Sequence, residues 1–115
     1  MDEVALNFIR SKNVDSFQKL RVLLFLHRNS NTPRTCQQLA ERLFISVPLL
    51  EKIIYDLQIS GLLECREHCY ALRKEADLKK CLECLAGTFD DPVARQDLLD
   101  QIKTIQSTNR NGENG

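Results

Sequence analysis

The amino-acid sequence predicts a mainly α-helical domain that carries a small β-hairpin. The strongest evidence is residues 37–63, QQLAERLFISVPLLEKIIYDLQISGLL, where a tight turn separates two short amphipathic segments and Gly61 ends the second. A strand pattern follows Gly61 directly, and further amphipathic segments lie on both sides of this region. The predicted fold class is therefore a winged helix-turn-helix with additional N- and C-terminal helices.

Helical periodicity and capping residues define the expected helices. Asp15 or Ser16 can cap the second helix, Thr35 the third and Ser46 the fourth, while Gly87 is expected to stop the fifth. The predicted helices cover residues 3–11, 17 to about 27, 36–43, 47–60, 75–86, and a last helix that starts at Asp90-Asp91-Pro92. A stretch of turn formers at residues 29–34 separates the second helix from the third.

Two short strands are expected after Gly61, at residues 62–67 and 70–73. Only Glu67, His68 and Cys69 are available for the turn, so the wing is expected to be short. Alternation along the strands predicts four inward side chains. They are Leu63, Cys65, Tyr70 and Leu72.

Length and composition favour one ordinary globular domain over residues 1–106, followed by a disordered polar tail at residues 107–115. The chain has 115 residues, of which 28% are charged and 43% hydrophobic. Its apolar runs, such as residues 22–26, are too short to span a bilayer. The N-terminal residues lack the pattern of a signal peptide, so a cytoplasmic location without membrane contact is expected.

The formal net charge is zero, with 16 basic and 16 acidic side chains, which argues against a strong non-specific hold on DNA. The distribution is uneven, because residues 10–42 contain seven basic and two acidic side chains. A locally basic face can still meet phosphates. The alternative is that these charges are the solvated faces of amphipathic helices.

Four segments resemble an uncharacterised family of small bacterial winged-helix proteins that are labelled putative transcriptional regulators. They are VDSFQKLRVLLFL (14–26), LAERLFIS (39–46), LLEKIIYDLQISGLL (49–63) and YALR (70–73). The resemblance implies a winged helix and a regulatory role. The chain departs from the family at Arg21, where an acidic residue is usual, and in the last helix, whose RQDLLDQI is more acidic than the family pattern.

The outward face of the helix at residues 47–60 is expected to enter the major groove of DNA. The candidate contacts are Ser46, Val47, Leu49, Lys52 and Tyr55 on this helix, with Arg34, Arg42 and Arg66 on flanking phosphates. Glu51 and Asp56 would be repelled by phosphate unless they face away. The alternative is a winged helix that binds a protein partner through Val47, Leu49 and Tyr55, with little or no DNA binding.

The five cysteines allow a second kind of site. Cys65, Cys69, Cys81 and Cys84 could supply four thiolates to zinc or an iron–sulfur cluster. Buried or incidental thiols are the more ordinary interpretation, because a cysteine in an apolar stripe behaves as a small hydrophobe. The sequence therefore predicts no cofactor.

Catalysis and assembly receive little support from the sequence. No nucleophile elbow, phosphate loop or metalloprotease motif is present, so an enzyme is not expected. The leucine and isoleucine faces of the last two helices could form a homodimer seam. They could equally close the core of the domain itself.

Overall fold

Six α-helices and three short strands form the described chain in the computed structural model, which covers the backbone of residues 3–114 and the side chains of residues 3–109. The helices are α1 (Glu3–Ser11), α2 (Phe17–Arg28), α3 (Cys36–Leu43), α4 (Val47–Ile59), α5 (Ala76–Asp90) and α6 (Pro92–Asn114). The strands are β1 (Arg34–Thr35), β2 (Leu63–Arg66) and β3 (Cys69–Leu72). The prediction of a mainly helical chain with a β-hairpin is confirmed, since 70% of it is helical.

The strands form one antiparallel sheet in the order β1-β3-β2. The β2–β3 hairpin turns at Glu67 and His68, whose φ angles of 51° and 65° suit a two-residue hairpin turn. Cys65 was predicted to point inward but is exposed. Burial decreases along β2 towards the turn, from Leu63, which is buried, to Cys65 and Arg66, which are exposed.

Strand β1 is absent from the sequence prediction, because two residues in a stretch of turn formers give no periodicity. Arg34 pairs with Tyr70 and Thr35 with Cys69. Thr35 then caps α3 as predicted: its hydroxyl accepts from the Gln38 N–H at 3.1 Å, and the Gln38 side chain accepts from the Thr35 N–H at 3.0 Å. β1 therefore ties the start of α3 to the sheet.

One predicted helix cap and two predicted helix ends differ from the structure. Ser46 occupies the N-cap position of α4, but its side chain makes no capping hydrogen bond. Helix α5 continues through Gly87 to Asp90, because one helical glycine costs only about 1 kcal/mol and the following residues, Thr88 and Phe89, pack at the core. Helix α6 continues to Asn114, although residues 107–115 were predicted to be a disordered tail; Gly115 lies outside the described residues.

Each of the six helices packs one apolar face into the core, and Leu62 and Leu63 at the start of the hairpin pack there as well. Helix α4 contributes Leu50, Ile53, Ile54 and Leu57. The apolar faces of α5 and α6, including Leu82, Leu85, Leu98 and Ile102, are buried in the same core. These buried side chains close the core of the domain, whereas Val93 on α6 stays exposed and Leu99 and Ile105 are only partly buried. Within residues 3–114, no helix is long and apolar enough to cross a membrane.

The ammonium group of Lys19 links four parts of the fold. Its Nζ lies 2.7 Å from Asp15 and 3.4 Å from Asp56 on α4, and only 9% of its side chain is exposed. Asn109 on α6 donates to Asp15 at 2.9 Å, which joins the C-terminal helix to the same group. A cation at this depth requires such partners, so these residues set the position of α4 against α2 and α6.

Arg21 stabilises the turn between α3 and α4. One guanidinium nitrogen donates to the Leu43 carbonyl at 2.6 Å, and the other donates to Gln18 at 2.8 Å. Leu43 ends α3, where unpaired carbonyl groups favour a cation. Arg21 therefore ties α2 to the end of α3.

Asn31 joins the loop after α2 to the end of β3. Its side chain donates to the Leu72 carbonyl at 2.9 Å and accepts from the Leu72 N–H at 2.7 Å. Its φ of 51° lies in the left-handed region, which Asn tolerates better than most residues.

We expect Asn31→Ala to lower the free energy of unfolding by about 2–3 kcal/mol, because both hydrogen bonds are lost and alanine is strained at this φ. Asn31→Gly loses the bonds without the strain and should cost less. Urea denaturation measures both, with the exposed Asn7→Ala as control. Equal losses for Ala and Gly would contradict the contribution of backbone strain.

The pH dependence of stability tests the Lys19 network. Burial alone would raise the pKa of Asp15, but the hydrogen bonds from Lys19 and Asn109 and the charge of Lys19 outweigh it and lower that pKa. A carboxyl whose folded-state pKa lies below its unfolded value of about 3.9 adds stability above that value and loses it as pH falls through the folded-state pKa.

We therefore expect Asp15→Asn to reduce the free energy of unfolding at neutral pH, with a gap from wild type that shrinks below about pH 4. Denaturation with urea across this range measures the gap. The exposed Asp97→Asn, which has no ion pair within residues 3–109, is the matched control. A gap that is constant with pH would contradict the ionic role of Asp15.

Candidate functional site

The solvent side of α4 is the candidate functional surface. Residues four or three apart on a helix lie on one face, and positions 48, 52, 55 and 59 follow this spacing. We call the α4 face the exposed set that these positions form with their flanks: Pro48, Leu49, Glu51, Lys52, Tyr55 and Ile59. None of these side chains is buried, whereas the opposite side of α4 is inside the core.

Apolar side chains are unusually exposed on and near this face. Tyr55 is 62% and Ile59 68% accessible, and Leu49 is 44% accessible. Phe44, in the turn before α4, is 93% accessible and has a φ of 55°. Phe44 and Ile59 were not among the residues predicted for this site. Ile59 lies four residues after Tyr55, and this helical spacing indicates that the two share one face.

The predicted polar contacts on α4 lie on its exposed side. Ser46 is exposed and its hydroxyl is not used as a helix cap, so it can bind another group. Lys52 and Tyr55 are both exposed on the α4 face. Val47, in contrast, is half-buried and packs against the core. Of the five candidates on this helix, Val47 is therefore the least accessible.

The three candidate arginines differ in their surroundings. Arg42 on α3 and Arg66 on β2 are exposed. Arg34 on β1 is half-buried, and its guanidinium lies over the Phe25 ring at 5.3 Å from the centroid. Its Nε is buried without a hydrogen-bond partner in the part of the chain whose side chains are described. Arg34 is thus held against the aromatic ring, whereas Arg42 and Arg66 extend into solvent.

The two acidic residues of α4 face different environments. The Asp56 carboxylate lies 3.4 Å from the Lys19 ammonium group, which it shares with Asp15, and 35% of its side chain is exposed. Glu51 is exposed on the α4 face and has no ion pair within residues 3–109. Lys19 therefore offsets only part of the charge of Asp56, because it also pairs with Asp15 at the shorter distance, and Glu51 keeps its full charge on the α4 face.

A group of titratable side chains lies beside Glu51. Burial, followed by the charge of Glu51, raises the pKa of the Cys36 thiol. Burial also raises the pKa of Tyr70, with further contributions from Cys65, which hydrogen-bonds it, and from Cys36. A thiol with a raised pKa remains protonated and is a poor nucleophile, so Cys36 lacks the thiolate character of a reactive cysteine.

The four cysteines considered for metal binding are not brought together. Cys65 lies opposite Tyr70 in the hairpin and Cys69 lies opposite Arg66, while Cys81 and Cys84 are on α5. Among the residues that the structure describes, no three His, Cys, Asp or Glu side chains are arranged to hold a metal ion. The four-thiolate alternative therefore has no geometric support.

Comparison with known proteins adds no assignment to this geometry. No protein-family model, no curated protein and no solved structure matches the chain.

Proposed function

We propose that this chain is a winged-helix DNA-binding protein that acts as a transcriptional regulator, with α4 as the helix that enters the major groove. The observation that carries the proposal is the exposed face of α4. This helix is the second of a series in which α3, a turn, α4 and the β2–β3 hairpin follow one another. In this interpretation β2–β3 is the wing. The major groove is about 12 Å wide and accepts one helix with its side chains.

The exposed polar groups define the contacts of the proposed complex. Lys52 can donate to guanine edges or to a phosphate, and Ser46 and Tyr55 can donate to phosphate oxygens. Leu49 can contact a thymine methyl group. Arg42 and Arg66 lie on the elements before and after α4, where they would meet flanking phosphates.

Electrostatics limits the affinity of the proposed complex. The ion pair of Asp56 with Lys19 weakens the repulsion between Asp56 and phosphates without cancelling it, because Lys19 also pairs with Asp15. Glu51 remains exposed, and the chain as a whole has no excess of basic residues. We therefore infer few phosphate contacts and a correspondingly modest dependence of affinity on salt.

A second candidate function is supported by the exposed apolar residues. Phe44, Leu49, Tyr55 and Ile59 are large side chains on or next to the α4 face. Aromatic and aliphatic anchors of this kind carry much of the binding energy in protein interfaces. This alternative uses the same helix to bind a protein partner.

Binding to DNA can be measured by fluorescence anisotropy with random genomic fragments at several salt concentrations. We expect Lys52→Glu to weaken binding and to reduce the slope of log affinity against log salt by about 0.9, the value for one lost phosphate contact. Lys80→Glu on α5 carries the same charge change away from α4 and should bind like wild type. Absence of binding by the wild-type protein at low salt would overturn the DNA proposal.

The protein-binding alternative can be tested in extracts of the source cells by cross-linking and mass spectrometry. We expect Leu49→Asp to abolish the enrichment of a partner, because an anchor residue contributes about 2 kcal/mol or more, which corresponds to roughly thirtyfold in affinity. Val93→Asp is the matched control, since Val93 is an exposed apolar residue on α6. Equal enrichment by both variants would exclude the α4 face as the contact.

A further inference from the structure

A cavity of about 420 Å³ lies on a different part of the fold from the α4 face. The end of α2 and the following loop contribute His27, Ser30 and Asn31, and the remaining lining runs from Leu72 at the end of β3 to Leu82 on α5. Its volume is within the range of small-molecule sites in proteins, about 300–1,000 Å³.

The inner surface of the cavity is apolar and well supported. Leu72, Leu78 and Leu82 line it, and all three are buried in the core. The backbone beside Leu72 is held by the two hydrogen bonds of Asn31, and the Arg73 N–H donates to the Leu62 carbonyl at 3.0 Å. This side of the cavity is therefore formed before a ligand arrives.

Basic side chains surround the opening. Arg73, Lys74 and Lys79 line the cavity, and Glu75 is the one acidic residue in its lining. Arg73 pairs with Glu75 at 3.2 Å. Within residues 3–109, neither Lys74 nor Lys79 has an acidic partner at ion-pair distance, so two positive charges at the opening are uncompensated.

We propose that this cavity binds a small amphipathic organic anion. A carboxylate or phosphate head would meet Lys74 and Lys79, and an apolar body would cover Leu78 and Leu82. Neutral apolar molecules should bind more weakly, because they have no charge to attract Lys74 and Lys79. Simple inorganic anions should also bind more weakly, because they have no apolar surface to bury against the leucines. The proposal does not depend on DNA binding.

Titration of the ¹⁵N-labelled full-length protein with octanoate tests this site by amide chemical shifts. We expect saturable shifts at Asn31, Leu72 and Leu82, and an affinity about tenfold weaker in Lys79→Glu because attraction becomes repulsion. Lys80→Glu is the control, since Lys80 is the neighbouring exposed residue on α5 but does not line the cavity. Lys74→Glu should weaken binding in the same way as Lys79→Glu.

Three further ligands separate the contributions of head and body. Octan-1-ol should bind more weakly than octanoate, as should inorganic phosphate, because each lacks one of the two interactions. The affinities of octyl phosphate and octanoate, compared with each other, show whether Lys74 and Lys79 prefer a phosphate or a carboxylate head group. The proposal is overturned if octanoate shifts do not map to the cavity, if Lys79→Glu and Lys80→Glu bind alike, or if octan-1-ol binds as tightly as octanoate.

Discussion

The position of α4 depends on one buried cation. Lys19 brings an ammonium group into the core boundary, where desolvation is costly, and the carboxylates of Asp15 and Asp56 offset that cost. Lys19 is on α2, Asp56 is on α4, and Asp15 accepts a hydrogen bond from Asn109 on α6. The Lys19 charge therefore connects three helices. Apolar contacts alone would hold α4 against the core without this directional constraint.

The same constraint shapes the surface that α4 presents. Asp56 pairs with Lys19, and the charged residues of the α4 face are Glu51 and Lys52, beside Tyr55 and Ile59. The result is a face of nearly balanced charge with substantial apolar area. Such a face suits both proposed functions: a DNA-binding helix with few phosphate contacts, and a helix that binds a protein partner.

Sequence periodicity predicted the helices because their apolar residues recur every three or four positions, and Thr35 with Gln38 marked the start of α3. It failed where tertiary contacts decide the outcome. Gly87 lies within α5 because the residues after it pack at the core, and β1 forms only because β3 offers it a partner. The continuation of α6 is accompanied by the hydrogen bonds of Asn109 to Asn13 and Asp15, some 95 residues away in sequence.

For the candidate site, the sequence by itself determined which residues occupy α4 and that Lys52 and Tyr55 share one face, since helical spacing is a local property. Only the tertiary structure decided that Asp56 pairs with Lys19, that Val47 is half-buried and that Phe44 and Ile59 are exposed. The cavity beside α5 also belongs to the tertiary structure. Its lining comes from a helix end, a loop, a strand end and a second helix, and such a combination leaves no periodic pattern along the chain.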